Sequence, residues 1–323
     1  MQDRFGREID YLRLSVTDRC NLRCVYCMPE GGAPALERGE LLEYEELVRL
    51  TRILARLGVR HVRLTGGEPM ARRGCLDLVR ALHALPGIES VAMTSNGTLL
   101  RDRAAEAKAA GLDALNLSLD TLNPAVYARM TRGGDVNDAL QTLEQSLAAG
   151  LNVKLNAVPV RGFNENELAD LAALAKDRDV CVRFIELMPI GCARDLRFVP
   201  IDEVRARLTD AFGTWEPDEA AHGHGPARYG KPKGFVGSIG LIGALSHEFC
   251  DACNRVRLTA DGRLKLCLNH TQGLDLRALL RGGADDAALE AAIRDAIVNK
   301  PRCHGFYADV SDREPRRMYQ IGG

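Results

Sequence analysis

No stretch of the 323 residues approaches the roughly 18 consecutive apolar residues of a membrane helix. The charged start, MQDRFGREIDYLRLS, lacks the apolar run of a secretory signal, so a cytoplasmic location and no membrane partner are expected. An excess of one charge is also absent. A formal net charge of -1 argues against a protein built around nucleic acid, while allowing a local basic patch. Hydrophobic residues make up 46% of the chain, enough for a large domain plus a smaller one. The cysteines lack something too. Cys20, Cys24 and Cys27 form CxxxCxxC within SVTDRCNLRCVYC, and Cys250, Cys253 and Cys267 form a second trio, with no obvious fourth cysteine beside either. In a reducing compartment such clusters favour metal or redox chemistry over disulfides.

What is present is a recurring unit in which a helix-like run ends at Gly and a short apolar strand follows: ARLGVRHVRLT, ALPGIESVAMT, AAGLDALNLSL and AAGLNVKLNAV. Glycine is favoured just past a helix end. With YLRLSVT in front and DVCVRFIEL behind, six strands alternate with helices, which predicts a parallel α/β sheet. Six units fall short of a closed eight-stranded barrel, so a partial (βα)6 TIM-like barrel is expected over residues 1–225, with an α+β extension over 226–323. Within the strands, Leu12, Leu14, Val62, Leu64, Leu115, Leu117, Val153, Leu155, Val182 and Phe184 alternate with Arg13, Arg63, Asn116, Lys154 and Arg183. The apolar face must meet the helices. The polar face therefore lines the lumen, where four cations face too few acids, and an anion site is expected. Polar faces solvated on an open sheet are the alternative.

The first trio follows the first strand, on the carboxyl-end loop where barrel active sites assemble. Structural zinc takes four protein ligands. A 4Fe-4S cluster on three thiolates leaves one iron open, and soft sulfur ligands suit it. TGGEP, Thr65 to Pro69, comes after the second strand, and its paired glycines let backbone approach a ligand. Near the other end, RVRLT and RLKLC flank an Asp-Gly turn signal, which predicts a hairpin that returns Cys267 towards Cys250 and Cys253. A second 4Fe-4S cluster with an open iron is the economical reading, and zinc completed by His247 or His270 the competing one. WEPDEAAHGHGPARYGKPKG between the two halves reads as a linker or long loop.

CxxxCxxC followed by TGGEP resembles the radical S-adenosylmethionine (SAM) superfamily. The two trios, SLDTL, VRFIELMP, NRVRL and the closing YQIGG resemble, through essentially the whole chain, the GTP 3′,8-cyclases of molybdenum cofactor biosynthesis. The resemblance implies two 4Fe-4S clusters, on Cys20, Cys24, Cys27 and on Cys250, Cys253, Cys267. It implies SAM at the first, with contacts from Tyr26, Gly67, Ser118 and Met188. GTP contacts are implied for Arg13, Arg63, Thr94, Lys154, Arg255, Val256 and Arg257, with guanine at the second cluster. The implied reaction takes hydrogen from ribose C3′ with a 5′-deoxyadenosyl radical and joins C3′ to guanine C8. Arg13, Gly322 and Gly323 are implied to support it, the Gly-Gly end entering the active site. An external electron donor and a downstream pyranopterin monophosphate synthase are the implied partners, and a homodimer is compatible with them. One departure is His61, where the family can place a lysine near the phosphates; Arg183 is the neighbouring cation able to carry that charge.

Other residues draw plain readings. Cys75, Cys181, Cys192 and Cys303 are isolated thiols, His222 and His224 sit in a Gly-rich stretch without matching ligands, and Arg316 and Arg317 solvate the tail, a role near the active site being the alternative. Two rival functions are a peptide-modifying radical SAM enzyme with an auxiliary cluster and a non-enzymatic iron-sulfur or zinc protein.

Overall fold

The computed structural model describes residues 1–220, 222–306 and 314–322. Six strands alternate with helices as the periodicity requires: β1 (Tyr11–Ser15), β2 (His61–Thr65), β3 (Ser90–Ser95), β4 (Ala114–Ser118), β5 (Asn152–Ala157) and β6 (Cys181–Ile185). They pair in parallel, each with the next. Their apolar residues do meet the helices. Leu12, Leu14, Val62, Leu64, Leu115, Leu117, Leu155, Val182 and Phe184 are fully buried in one core with Leu47, Leu50, Ile53 and Leu54 of the helix Tyr44–Arg56. The partial barrel is thus held by a continuous aliphatic layer between sheet and helices.

The stretch expected as a linker is shorter than that reading. Within it, β7 (Glu216–Pro217) and β8 (Arg228–Lys231) pair antiparallel, and β8 joins β9 (Ser238–Ile242), which runs parallel beside β6. Glycine and proline masked these strands, because their few residues lack an alternating apolar pattern. At the opposite edge β10 (Arg255–Leu258) lies parallel to β1 and begins the hairpin with β11 (Arg263–Lys265), followed by β12 (Gly273–Asp275). The twelve strands form one sheet in the order β12-β11-β10-β1-β2-β3-β4-β5-β6-β9-β8-β7. Residues 226–323 therefore add strands to both edges of the first six. Among the described residues no helix is long and apolar enough to cross a membrane.

Phe184 sits at 0% exposure on β6, the strand that joins the first six to β9. Phe184→Ala should lower unfolding stability by about 3–5 kcal/mol, read as a reduced denaturant midpoint with an unchanged slope.

Candidate active site

One cavity receives side chains from β1 to β6, from β10 and the loop before it, from the segment after β11, and from the C-terminal helix Met318–Ile321. Both cysteine trios line it. In the first, Cys24 O accepts from the backbone N–H of Cys27 (2.9 Å) and Met28 (3.0 Å), and Arg132 Nη1 donates to Met28 O (2.7 Å), so the loop is fixed from both sides. Burial pushes the Cys20 thiol up to about 11 and Cys27 up to about 12, and it raises Cys24 still further with help from Asp120. Three thiolates can coexist there only beside compensating positive charge.

A single tetrahedral ion with metal–sulfur bonds of about 2.3 Å would draw its ligand atoms closer than 4.8 Å to one another. Among the described residues only Glu248, Cys250 and His304 meet that spacing as a trio. Neither cysteine trio closes so far, which fits a polynuclear cluster better than one zinc ion. His247 Nε2 pairs with Asp202 (2.8 Å) and His270 Nε2 with Cys303 O (3.0 Å), and among the described residues neither histidine lies within that spacing of the second trio. His304 is also engaged at both ring nitrogens, by Ala244 O (3.0 Å) and the Phe306 N–H (3.3 Å). Around Cys253 burial works to raise the thiol, but Lys300 and Arg255 outweigh it and bring the value down to about 7. A thiol so placed is ready to ligate as thiolate.

TGGEP runs along the first trio. Gly67 N–H donates to Thr17 O (2.8 Å), and a Cβ on Gly67 would lie 2.3 Å from Arg19 O, so only glycine fits. Glu68 accepts from Ser95 Oγ (2.9 Å), Asn96 N (2.8 Å) and Met70 N (3.2 Å), and burial raises it to about 7. The Tyr26 hydroxyl donates to Asp120 (2.7 Å), whose other oxygen accepts from Val158 N (2.8 Å). Gly67, Tyr26, Ser118 and Met188 all face the cavity. Glu68 and Asp120 escaped the sequence reading as site residues, although TGGEP and SLDTL contain them.

The cations form a row. Arg63 on β2, Arg13 on β1 and Arg257 on β10 share one register, with Arg255 beside Tyr11 one layer away. All four line the cavity. Burial, reinforced by repulsion from neighbouring guanidinium groups, depresses Arg13 strongly and Arg257 to about 10. Arg63 Nε and Thr94 Oγ1 are buried without a hydrogen-bond partner. Arg183 differs, because Asn156 (2.9 Å) and Asn116 (2.6 Å) accept from it. The cavity's Glu186 does not neutralise the row, since it accepts from Ile201 N (2.9 Å) and Leu245 N (2.8 Å) instead. A buried cationic surplus of this kind suits a multiply charged anion.

Two expected contacts fall outside the cavity lining. Val256 is fully buried with its side chain in the core, because it alternates with Arg255 and Arg257. Lys154 Nζ lies against Gly223, and burial with Arg183 lowers it to about 8. The rest of the His222–His224 stretch packs on neighbouring strands. His224 stacks on His61 at 3.3 Å, and burial with that neighbour lowers His61, which leaves it a neutral imidazole held by Ser90 Oγ (2.9 Å). His222 lies between Asp218 (2.7 Å) and Cys181 Sγ (3.0 Å). That arrangement has the order of a nucleophilic triad. Burial nevertheless raises Cys181 to about 11, away from the thiolate form, and the contact with His222 ties this stretch to β6.

The tail reaches the cavity as well. Tyr319 and Ile321 are buried, Arg257 Nη1 donates to Gly322 O (2.6 Å), and Gly322 has φ +76°. A Cβ there would lie 2.6 Å from Thr65 Oγ1. Gly323 lies outside the described residues.

The Radical SAM superfamily model matches residues 14–175 and the Molybdenum Cofactor Synthesis C model residues 180–306. The GTP 3′,8-cyclases of Pelotomaculum thermopropionicum and Heliobacterium modesticaldum are each 47% identical to this chain over 100% of both sequences. Clostridium perfringens has a GTP 3′,8-cyclase 39% identical over the same full length. Among solved structures, Streptococcus suis SuiB bound to S-adenosylmethionine superposes with a TM-score of 0.62 at 16% identity, covering 88% of this chain and 68% of that one, a likeness of fold. Full-length identity to these relatives, on a chain that carries both family regions in order, places it in the radical SAM superfamily as a member of the GTP 3′,8-cyclase family.

Proposed function

We propose that this chain converts GTP to 3′,8-cyclo-7,8-dihydroguanosine triphosphate, the first step of molybdenum cofactor biosynthesis. The observation that carries the reading is the arginine row, which lies in the same cavity as both cysteine trios. Cys20, Cys24 and Cys27 would hold one 4Fe-4S cluster and Cys250, Cys253 and Cys267 another. When bound, the first supplies the electron that splits SAM into methionine and the 5′-deoxyadenosyl radical that takes the C3′ hydrogen.

The chain's own residues bind, orient and exclude water. Gly67 leaves backbone exposed to the methionyl end, and Tyr26, fixed by Asp120, borders SAM with Ser118 and Met188. Arg13, Arg63, Arg255 and Arg257 take the triphosphate, with Thr94 and Arg183 beside it, and Lys154, outside the cavity lining, adds only longer-range positive charge. Val256 contributes only backbone, its side chain being in the core. Guanine turns to the second trio. The Gly322 carbonyl fixes the Arg257 guanidinium, and Gly322 fills space that a larger residue could not enter. An external one-electron donor and a pyranopterin monophosphate synthase that takes the product complete the proposal, all in the cytosol.

Anaerobic incubation of the reconstituted protein with SAM, reductant and each nucleoside triphosphate tests it. Mass analysis should find a cyclised product from GTP alone, and 5′-deoxyadenosine released equally without GTP would overturn the reading. Cys24→Ala should abolish SAM cleavage. Cys253→Ala should retain SAM binding and lose cyclisation, and a parental cyclisation rate in that variant would refute the division between the trios. Arg63→Met should weaken GTP binding by about 1.5–3 kcal/mol in anaerobic equilibrium titrations, while guanosine binds poorly even to the parent. Gly322→Ala, strained by its positive φ, should cut cyclisation at least about tenfold with iron content unchanged.

A further inference from the structure

We infer that the buried ion pair of Lys265 and Glu314, outside the cavity, is the anchor that docks the C-terminal tail. Through it, docking is tied to the loop that carries Cys267. The effect on turnover rests on the proposed role of the tail; the docking itself does not.

The side chains of Lys265 and Glu314 are 0% and 2% exposed and in direct contact. Neither lines the cavity. The Lys265 ammonium also donates to His270 O (2.5 Å), three residues beyond Cys267, and the Glu314 N–H donates to Asn269 O (2.7 Å). The Glu314 backbone is thus bonded to the loop directly, while its carboxylate meets the lysine that holds the same loop. Arg316 adds a second layer, donating through N (3.0 Å) and Nε (3.1 Å) to Glu314 and reaching Asp261 (3.4 Å). Arg194 Nη2 donates to the Glu314 carbonyl (3.2 Å). Arg316 therefore pairs with acids and does not simply solvate the tail.

Beyond the anchor the tail is held by the burial of Tyr319 and Ile321 and by the bond from Arg257 to Gly322 O. Its helix, Met318–Ile321, has four residues, too few to be stable alone, and its apolar contacts are the small cluster of Ile190, Leu245 and Phe306. Lys265, by contrast, lies on β11, paired on both sides by β10 and β12. Removing Glu314 leaves Lys265 as an uncompensated buried charge, and removing Lys265 leaves the Glu314 carboxylate with Arg316 as its one cationic partner among the described residues. The least costly relief is departure of residues 314–322, which hydrates both groups and leaves the sheet intact. Lys265 and Glu314 are accordingly positioning residues, acting on the cavity through Gly322.

The test is hydrogen–deuterium exchange on the reconstituted holoenzyme under anaerobic conditions, read in peptides covering 314–322 and, separately, β10 and β11. Lys265→Met and Glu314→Gln should each speed exchange in the tail at least about tenfold, with β10, β11 and iron content unchanged. Lys265→Arg should keep the tail protected. Lys265→Met combined with Glu314→Leu, which removes both charges, should restore much of the protection. The single variants should lower kcat for cyclisation without raising KM for SAM. Unchanged tail exchange in both single variants, or equal acceleration in β10 and β11, overturns the anchor. A released tail with parental cyclisation upholds the anchor and sinks only the catalytic role of the tail.

Discussion

The parallel pairing of β10 with β1 is the contact on which the rest of the site depends. It sets Arg257 beside Arg13 and Arg255 beside Tyr11, so cations from the two ends of the chain share one wall. It also carries Cys250 and Cys253, which immediately precede β10, to the edge of the lumen. The hairpin then returns the chain to Cys267 and presents Lys265 to the tail. The Asn254 side chain reinforces the join by donating to Asp10 (2.7 Å). A strand placed anywhere else on the sheet would separate the second trio from the first.

That wall is electrostatically unfavourable without an anion. An ordinary barrel fills its interior with branched aliphatic side chains, whereas this one aligns Arg63, Arg13 and Arg257 in a single register. The acids nearby are committed elsewhere: Glu68 to Ser95 and Asn96, Asp120 to Tyr26 and Val158, Glu186 to the turn at Leu245. The stability needed to hold like charges together comes from the aliphatic layer on the other face of the same strands. One side of each strand supplies the fold, and the other supplies a site that gains most when an anion arrives.

Much of this was legible in the sequence because it is local. Period-two alternation assigned Leu12, Leu14 and Arg13 to opposite faces, and CxxxCxxC and the Asp-Gly turn signal identified the two trios as sites, without reference to distant residues. The resemblance added roles to residues such as Tyr26 and Met188, and the cavity brings them together. One reading fell short for an equally local reason: β7 and β8 were hidden by glycine and proline. The stacking of His61 on His224 had no local signal, because the two lie far apart along the chain.

The sequence by itself determined which residues form strands, which face of each is apolar, and which cysteines gather, since each follows from spacings of a few residues. Only the tertiary structure decided which strands become neighbours. Arg255 meets Tyr11, Glu314 meets Lys265 and Gly322 meets Arg257. Those meetings arise from competition among all the apolar surfaces for burial, and no local pattern encodes them.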